Sequence, residues 1–439
     1  MMKYDLLIHN AVIVTVNPDF DIIRNGVIGI KDGLIQRVQA GGEDAADCPA
    51  SEYIDATGGI VMPGLVNAHT HLPMSLFRGL ADDLTLASWL NEHIFPAESR
   101  HITPETVRTG TLLSCLEMLL GGVTTCCDGY FYEDAAAEAI LETGIRAVAA
   151  QGVIDFPAPG APDPSRNVEI ATAFVENWRH RSPFVTPSIF CHSPYTCSAE
   201  TLKKAKQAAN RLGALFQIHV AETRNERDQS LAATGASPVA YLDSLGVLDE
   251  NTLAIHAVWV DENDMEILAR RRVNIAHTPE SNMKLAAGIS PVPRMLENGL
   301  TVGLGTDGCA SNNNLDLFGE MDMAAKLHKV TANDPTVMNA RTVVRMATIM
   351  GARAIGLGDM TGSLEPGKQA DIIIIDIRKP SLTPMYHPES HLVYAVRGAD
   401  VRDVLVAGRV LVRDYRPVYL GMDGILQNAQ RIAEAVKKQ

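Results

Sequence analysis

Short apolar runs alternate with longer amphipathic stretches through the middle of this chain. From about Met62 to Gly362, runs of strand-forming residues are each followed by a helical pattern, which is typical of repeated βα units. Eight of these runs end near a polar residue: His71, Asp128, Asp155, His192, His219, His256, His277 and Asp307. Eight βα units over about 300 residues predict an α/β protein with a TIM-like (β/α)8 barrel.

Helix start signals support this pattern. Thr103 is a predicted N-cap with Pro104 at the first helical position, which predicts a helix over Thr103–Leu120. Ser198 is a predicted N-cap for a second helix, Ser198–Leu212.

Both ends of the chain are rich in short β patterns instead. These are Tyr4–Val16, Gly26–Ile30, Leu34–Val38, Ala370–Ile377, Leu392–Val396, Val401–Val406 and Arg409–Val412. Lys31-Asp32-Gly33 is a hairpin turn signal, residues 40–51 are predicted to be a loop, and Met422–Lys437 is a predicted amphipathic helix. We expect residues 1–61 and 363–439 to form one small β-sandwich domain beside a barrel domain over residues 62–362.

Composition excludes several classes of protein. The 439 residues are 46% hydrophobic and carry a net charge of −14 without a Lys/Arg-rich block, so binding to nucleic acid is not expected. No apolar stretch is long enough to span a membrane, and Asp5 interrupts the stretch that a signal peptide needs. Seven cysteines without a C-x-x-C pair fit a reducing compartment, with Cys126 and Cys127 as buried thiols. A cytoplasmic location is expected.

The triplet His69-Thr70-His71 follows one of the apolar runs. Residues i and i+2 of a strand point to the same face, so the two imidazoles can bind one metal ion from a single strand end. Two solvated loop histidines are the alternative, and the downstream residues favour the metal site.

Further polar residues occupy equivalent positions at predicted strand ends, the face on which such barrels build active sites. The whole set is His69, His71, His192, His219, Glu222, His256 and Asp307. Four or more histidines placed this way would meet in one space. Three imidazole nitrogens and one carboxylate oxygen form a suitable Zn²⁺ or Fe²⁺ site with room for a water molecule.

This set, in this order, resembles the amidohydrolase superfamily and within it the cytosine-deaminase-like branch. The resemblance covers essentially the whole chain. It implies that one metal ion is held by His69, His71, His219 and Asp307. The lysine that bridges two metals in binuclear members is absent from Ser188–Ser193, so we expect one Zn²⁺ per chain, with Fe²⁺ as the alternative.

Four segments resemble the 5-methylthioadenosine/S-adenosylhomocysteine deaminases in finer detail: residues 73–83, 89–98, 192–198 and 219–223. The resemblance implies that Glu98 binds the ribose hydroxyls and that His192 and a loop arginine contact the substrate. Arg166 is the candidate for that arginine. Trp89 and Phe95 either close over the substrate or pack the loop. One departure is His192-Ser193-Pro194, where many members have His-Ala-Pro.

The residue types suggest roles in a hydrolytic deamination. Asp307 can hold the attacking water and accept its proton, and Glu222 can protonate the ring nitrogen of an adenine. His256 can orient the attacking oxygen and stabilise charge. Glu222 as a surface carboxylate that caps the next helix is the alternative. His277 either lines the pocket or is structural. No role is assigned to the remaining histidines: His9, His93, His101, His180, His328, His387 and His391.

The expected function is deamination of S-adenosylhomocysteine, 5′-methylthioadenosine and adenosine to the inosine analogues and ammonia. The partners expected are a small nucleoside and, from the resemblance, further copies of the chain in a homo-oligomer; nucleic acid and membranes are not expected. Hydrolysis of another purine, a pyrimidine or a triazine is the alternative reaction. A non-catalytic assembly protein of the same fold is the alternative class, and the complete ligand set disfavours it.

Overall fold

Two sheets organise the chain in the computed structural model, which describes residues 3–41 and 48–437. The strands of the terminal sheet are β1 (Tyr4–Val14), β2 (Ile22–Lys31), β3 (Leu34–Ala40), β4 (Ala50–Asp55), β5 (Gly59–Pro63), β14 (Ile372–Asp376), β15 (Val401–Val406), β16 (Arg409–Arg413) and β17 (Arg416–Pro417). The strands of the central sheet are β6 (Leu65–Thr70), β7 (Val123–Tyr130), β8 (Arg146–Val153), β9 (Val185–Cys191), β10 (Phe216–Val220), β11 (Thr252–His256), β12 (Asn274–His277) and β13 (Val302–Leu304).

Helices fill the intervals between the central strands and continue beyond them. They are α1 (Leu86–Ser88), α2 (Phe95–His101), α3 (Pro104–Leu120), α4 (Glu133–Thr143), α5 (Asn167–Trp178), α6 (Ala199–Leu212), α7 (Arg224–Thr234), α8 (Pro238–Ser244), α9 (Glu262–Arg271), α10 (Pro279–Lys284), α11 (Val292–Glu297), α12 (Cys309–Asn312), α13 (Leu317–Ala332), α14 (Ala340–Met346), α15 (Ile349–Ala354), α16 (Pro388–Tyr394) and α17 (Met422–Lys437). A π-helical turn, Trp89–Ile94, joins α1 to α2.

The central sheet is the predicted (β/α)8 barrel. Its eight parallel strands are hydrogen-bonded in chain order from β6 to β13. The two ends meet where the carbonyl oxygen of His69 accepts hydrogen bonds from the amides of Thr306 and Asp307, at 3.1 and 3.0 Å. We call this junction the barrel seam. It brings the first and last strands of the barrel, and the polar residues at their ends, to one place.

Strands from both chain ends join in the terminal sheet, as expected. Its order is β17-β16-β15-β14-β5-β1-β2-β3, with β4 beside β1. The isoleucine run of β14 is buried on both faces: Ile372 and Ile374 belong to the core of this sheet, whereas Ile373 and Ile375 pack into the larger core shared with the barrel. Because side chains alternate along a strand, one run of isoleucines serves both cores.

A buried ion pair also links the two parts. Arg146, at the start of β8, donates through Nε to Oδ2 of Asp371 at 3.0 Å, and the two side chains are 2% and 0% exposed. Asp371 immediately precedes β14, and its Oδ1 also accepts a hydrogen bond from the Ala407 amide at 2.7 Å.

The local predictions are mostly confirmed. Asp32 and Gly33 form the β2–β3 turn with φ of +52° and +75°, which suits a two-residue hairpin. Thr103 caps α3 through its side chain, and Ser198 caps α6. Cys126 and Cys127 are buried thiols. Of the predicted loop over residues 40–51, residues 42–47 lie outside the described part of the chain, and Ala50 already begins β4.

The predicted strand Leu392–Val396 is wrong, because this segment lies at the end of helix α16 and just beyond it. Pro388 occupies the first turn of that helix, and the consecutive residues Leu392 and Val393 are both fully buried. The β-branched and aromatic residues favour a strand locally, but packing of neighbouring side chains into one core favours a helix. Within residues 3–41 and 48–437, no helix has both the length and the apolarity needed to cross a lipid bilayer.

Candidate active site

Three histidines converge at the carboxyl end of the barrel. His69 lies near the end of β6, His71 follows that strand, and His219 lies in β10. One nitrogen from each ring lies within 4.8 Å of those of the other two, and all three residues are buried. Alternation along β6 therefore aims two imidazoles at a third that comes from across the barrel.

The distances fit a tetrahedral metal site. Nε2 of His69 and Nε2 of His219 are 3.3 Å apart. Oδ1 of Asp307 lies 3.5 Å from Nε2 of His69 and 3.4 Å from Nε2 of His71. Ligands bound to one zinc ion at about 2.0–2.1 Å stand about 3.3 Å from each other in a tetrahedron. These four side chains therefore suit a divalent ion.

The protonation states also suit metal ligands. Burial lowers the pKa of His69 to about 4 and that of His219 well below its usual value, so both rings are neutral. His71 donates from Nδ1 to the carbonyl oxygen of Gly129 at 2.6 Å, which leaves the lone pair of Nε2 facing the cluster. Between the facing nitrogens of His69 and His219 there is room for at most one proton, whereas a cation would satisfy both.

Asp307 is held from several sides. Its Oδ2 accepts hydrogen bonds from the hydroxyls of Ser281 and Ser311 at 2.7 and 2.9 Å, and its Oδ1 accepts one from the Gly308 amide at 2.7 Å. Its φ is +62°, a conformation that non-glycine residues rarely adopt. Neither serine is distinctive in the sequence, because each becomes significant only when α10 and α12 pack together beside Asp307.

Glu222 and His256 face each other beside the histidines. Oε2 of Glu222 lies 3.9 Å from Nε2 of His256, and both line the same cavity. Burial, together with the negative charge of Asp307, raises the pKa of Glu222 to about 8. Nδ1 of His256 lies 2.9 Å from Oγ1 of Thr278 and 3.0 Å from Oδ1 of Asn282, which fixes the ring. Glu222 can therefore carry a proton at neutral pH and deliver it into the cavity.

Glu222 is not the cap of the following helix. Thr223 caps α7 by accepting a hydrogen bond from the Glu226 amide. The buried carboxylate of Glu226 turns back and accepts hydrogen bonds from the amides of Ala221 and Glu222, at 2.9 and 2.8 Å. Ala221 has a φ of +52°, so Glu226 stabilises an otherwise unfavourable turn that aims Glu222 inward. This role of Glu226 was not predicted from the sequence.

The same cavity contains Glu98, which is 3% exposed and lies on α2. The hydroxyl of Tyr130, another residue that the sequence analysis missed, donates to Oε1 of Glu98 at 2.5 Å. Burial raises the pKa of this carboxyl to about 7, against the hydrogen bond from Tyr130. Trp89 and His192 also line the cavity, and Trp89 packs against its apolar neighbours as well.

Arg166 is not brought into this site. Its side chain is 61% exposed and pairs with Glu169 on the surface, at 2.9 Å, since both lie one turn apart at the start of α5. The expectation that Arg166 contacts the substrate has no support in this geometry. A wider basin of about 1000 Å³ adjoins the cavity, and it is lined instead by Arg224 and Lys284. Apolar side chains form the neck between the two spaces: Leu86, Leu90, Phe95, Tyr195 and Leu285.

His277 lies behind the site and does not line the cavity. Its Nε2 is 3.1 Å from Nε2 of His328, and both residues are 1% exposed. Burial lowers the pKa of His328 to about 4, so this is a pair of neutral rings in which one donates to the other. The position of His277 therefore fits a structural role, in which it and His328 form a buried hydrogen bond behind the site.

Comparisons with known proteins agree with this geometry. The pattern of the Amidohydrolase family matches residues 60–411. A 5-methylthioadenosine/S-adenosylhomocysteine deaminase of Syntrophobacter fumaroxidans is 46% identical over 99% of both chains. A 5′-deoxyadenosine deaminase of Methanosarcina acetivorans is 45% identical over 98% of both. The crystal structure of a zinc-bound adenosine deaminase from Xanthomonas campestris superposes with a TM-score of 0.97 at 36% identity, covering 100% of this chain and 99% of the other. The chain therefore belongs to the amidohydrolase family.

Proposed function

We propose that the protein is a metal-dependent aminohydrolase of adenosine-type nucleosides. It converts S-adenosylhomocysteine, 5′-methylthioadenosine, 5′-deoxyadenosine and adenosine to the inosine analogues and ammonia. The observation that carries the proposal is one cavity that borders the cluster of His69, His71, His219 and Asp307 and also contains the buried carboxyl groups of Glu222 and Glu98. The names of the two relatives include three of these substrates, and that of the zinc-bound crystal structure includes adenosine.

One divalent ion per chain, Zn²⁺ by preference, is held by His69, His71, His219 and Asp307 in this proposal. The ion supplies a Lewis acid that makes a nearby water molecule more acidic. Asp307 accepts a proton from that water as it attacks, while Glu222 protonates the ring nitrogen beside the reacting carbon. His256 stabilises the developing charge.

Bond changes then follow from these roles. A C–O bond forms at C6 of the adenine ring, and Asp307 passes its proton to the exocyclic amine. The C–N bond breaks and ammonia leaves. The new hydroxyl returns its proton to Glu222, which leaves a carbonyl and restores both carboxyl groups for the next turnover.

Glu98 supports a nucleoside rather than a bare base. A carboxylate accepts hydrogen bonds well from ribose hydroxyls, and neither a triazine nor a free purine offers such donors. The outer basin leaves space for a 5′ substituent, and Arg224 and Lys284 on its wall suit a substituent that carries a carboxylate.

A substrate panel scored by ammonia release tests the proposal. We expect turnover of adenosine, 5′-deoxyadenosine and the two 5′-thioether nucleosides, with the thioether forms preferred, and little turnover of adenine. Glu98→Ala should penalise the nucleosides far more than adenine. Activity confined to guanine, cytosine or triazines would overturn the proposed substrate class.

Elemental analysis tests the metal. The purified protein should contain about one Zn²⁺ or Fe²⁺ per chain, and His219→Ala should lose it because three remaining ligands hold the ion far more weakly. Fully active protein without any bound metal would contradict the proposal. Light scattering on the same sample tests the expected homo-oligomer.

A further inference from the structure

Glu98 is a buried carboxylate without a cation. Among the described residues, no lysine or arginine forms an ion pair with it, and the one hydrogen bond given to its side chain comes from the Tyr130 hydroxyl at 2.5 Å. Burying an unpaired carboxylate is unfavourable, so its retention in an otherwise largely apolar cavity wall needs a reason. A hydrogen-bonding ligand is such a reason.

The end of β7, where Tyr130 lies, contacts both the histidine cluster and Glu98. Tyr130 is the last residue of β7 and is 3% exposed, with its ring on the cavity wall. The residue before it, Gly129, accepts the hydrogen bond from Nδ1 of His71. The strand end that orients a metal ligand therefore also places the phenol against Glu98, which comes from a different element, α2.

Tyr130 and Glu98 together can still accept hydrogen bonds from a ligand. The phenol has one proton and gives it to Oε1 of Glu98, so its own oxygen keeps acceptor capacity. Within residues 3–41 and 48–437 no side chain or amide donates to Oε2 of Glu98, and Oε1 keeps a second lone pair. Two adjacent acceptor positions are thus available, which matches two neighbouring hydroxyls of a ribose.

We propose that Tyr130 is a positioning residue that fixes Glu98 as the acceptor for both hydroxyls of a vicinal diol. The site then selects ribonucleosides over nucleosides that lack the 2′ or the 3′ hydroxyl. This inference rests on the proposed function and narrows its substrate class. Without the phenol, the carboxylate is free to rotate, and the two acceptor positions are no longer presented together.

Tyr130→Phe tests the proposal because it removes only the hydroxyl. Kinetics are measured with adenosine, 2′-deoxyadenosine, 3′-deoxyadenosine and 2′,3′-dideoxyadenosine. The variant should lower kcat/KM for adenosine by about 10- to 100-fold, the effect of losing a hydrogen bond to a charged group, and mainly through KM. For 2′,3′-dideoxyadenosine, kcat/KM should change less than about twofold, since this nucleoside has no ribose hydroxyl to donate to Glu98.

Tyr132→Phe is the matched control. Tyr132 lies two residues further along and does not line the cavity, so its variant should keep the preference of the wild type. An equal loss on all four nucleosides in Tyr130→Phe would show a structural role and overturn the proposal. An unchanged preference for adenosine in that variant would overturn it too.

Glu98→Gln keeps the test available if Tyr130→Phe does not fold. The amide oxygen in this variant can still accept the hydrogen bond from Tyr130. The amide nitrogen takes the place of Oε2, so a donor replaces an acceptor there. A hydroxyl can still accept from that nitrogen, but it loses its bond to a charged acceptor, so discrimination against one monodeoxynucleoside should weaken while that against the other should remain. Loss of both preferences together would contradict the role of Tyr130. If wild-type enzyme deaminated none of these nucleosides, the proposed function itself would fail, which is a distinguishable result.

Discussion

At the scale of single residues, the site depends on ionisable side chains that are buried, although burial disfavours their charged forms. Glu222 and Glu98 are carboxyls in a largely apolar cavity. Burial raises the pKa of Glu222 to about 8 and that of Glu98 to about 7. Burial also keeps the three clustered histidines, His69, His71 and His219, neutral. One small space therefore contains an acid that carries a proton and imidazoles that do not.

The role of Glu222 gives a direct prediction. Glu222→Gln should keep the fold and the metal but lower kcat by about 10²- to 10⁴-fold, since a positioned acid contributes that much. Glu200→Gln, on the 75%-exposed side chain that pairs with Lys204, is the control and should be unaffected. Steady-state kinetics on metal-replete protein provide the measurement, and near-wild-type kcat in Glu222→Gln would refute the assigned role.

At the scale of elements, a turn at a strand end can set the direction of a functional side chain. Glu226 illustrates this, because its carboxylate bridges the amides of Ala221 and Glu222 where the chain leaves β10 for α7. The turn would otherwise be unfavourable, and the direction of Glu222 depends on it.

Glu226→Gln should therefore harm both stability and catalysis. The amide nitrogen would face a buried backbone N–H, and leaving that group unpaired costs about 1–3 kcal/mol. We expect a lower midpoint in a urea titration and a reduced kcat. Asp228→Asn, on the same helix but 64% exposed, should change neither. A Glu226→Gln variant with wild-type kcat would show that the turn does not position Glu222.

The barrel and the convergence of His69, His71 and His219 could be predicted because both leave a signal along the chain. Strand ends recur at regular intervals, and His69, His71, His219 and Asp307 each follow or end an apolar run. Partners such as Ser281 and Tyr130 could not be predicted, because nothing in their local sequence differs from that of ordinary polar or aromatic residues. Arg166 is a different case: its residue type and its position in the loop suggested a substrate contact, but its exposed side chain pairs with Glu169 one turn away.

At the scale of the whole molecule, the barrel and the terminal sheet are joined by a shared apolar core and by a buried ion pair. Arg146 and Asp371 are nearly inaccessible to water. Removing either side chain alone is therefore expected to lower the free energy of unfolding strongly, since the remaining charge stays buried without a partner.

Asp371→Ala should lower the free energy of unfolding by about 3–5 kcal/mol, because it leaves the Arg146 guanidinium uncompensated. Glu142→Ala is the control, since it breaks a surface pair with Arg108 in which both side chains are about half exposed and should cost about 0–1 kcal/mol. Urea titrations at matched metal content measure both. Equal, small effects would show that the buried pair does not hold the two parts together.

The barrel seam runs through one of the proposed metal ligands. The carbonyl of His69 closes the barrel against the amides of Thr306 and Asp307, while its imidazole lies in the histidine cluster. Opening the seam would separate His69 from Asp307, so we expect loss of the proposed ion to accompany exchange of those two amide protons with solvent. An ion that binds only the closed form stabilises that form by a free energy that grows with the logarithm of the ion concentration relative to the dissociation constant. Hydrogen exchange at these two amides should therefore slow as metal is added, and the rate at which the protein releases its ion would report how often the barrel opens.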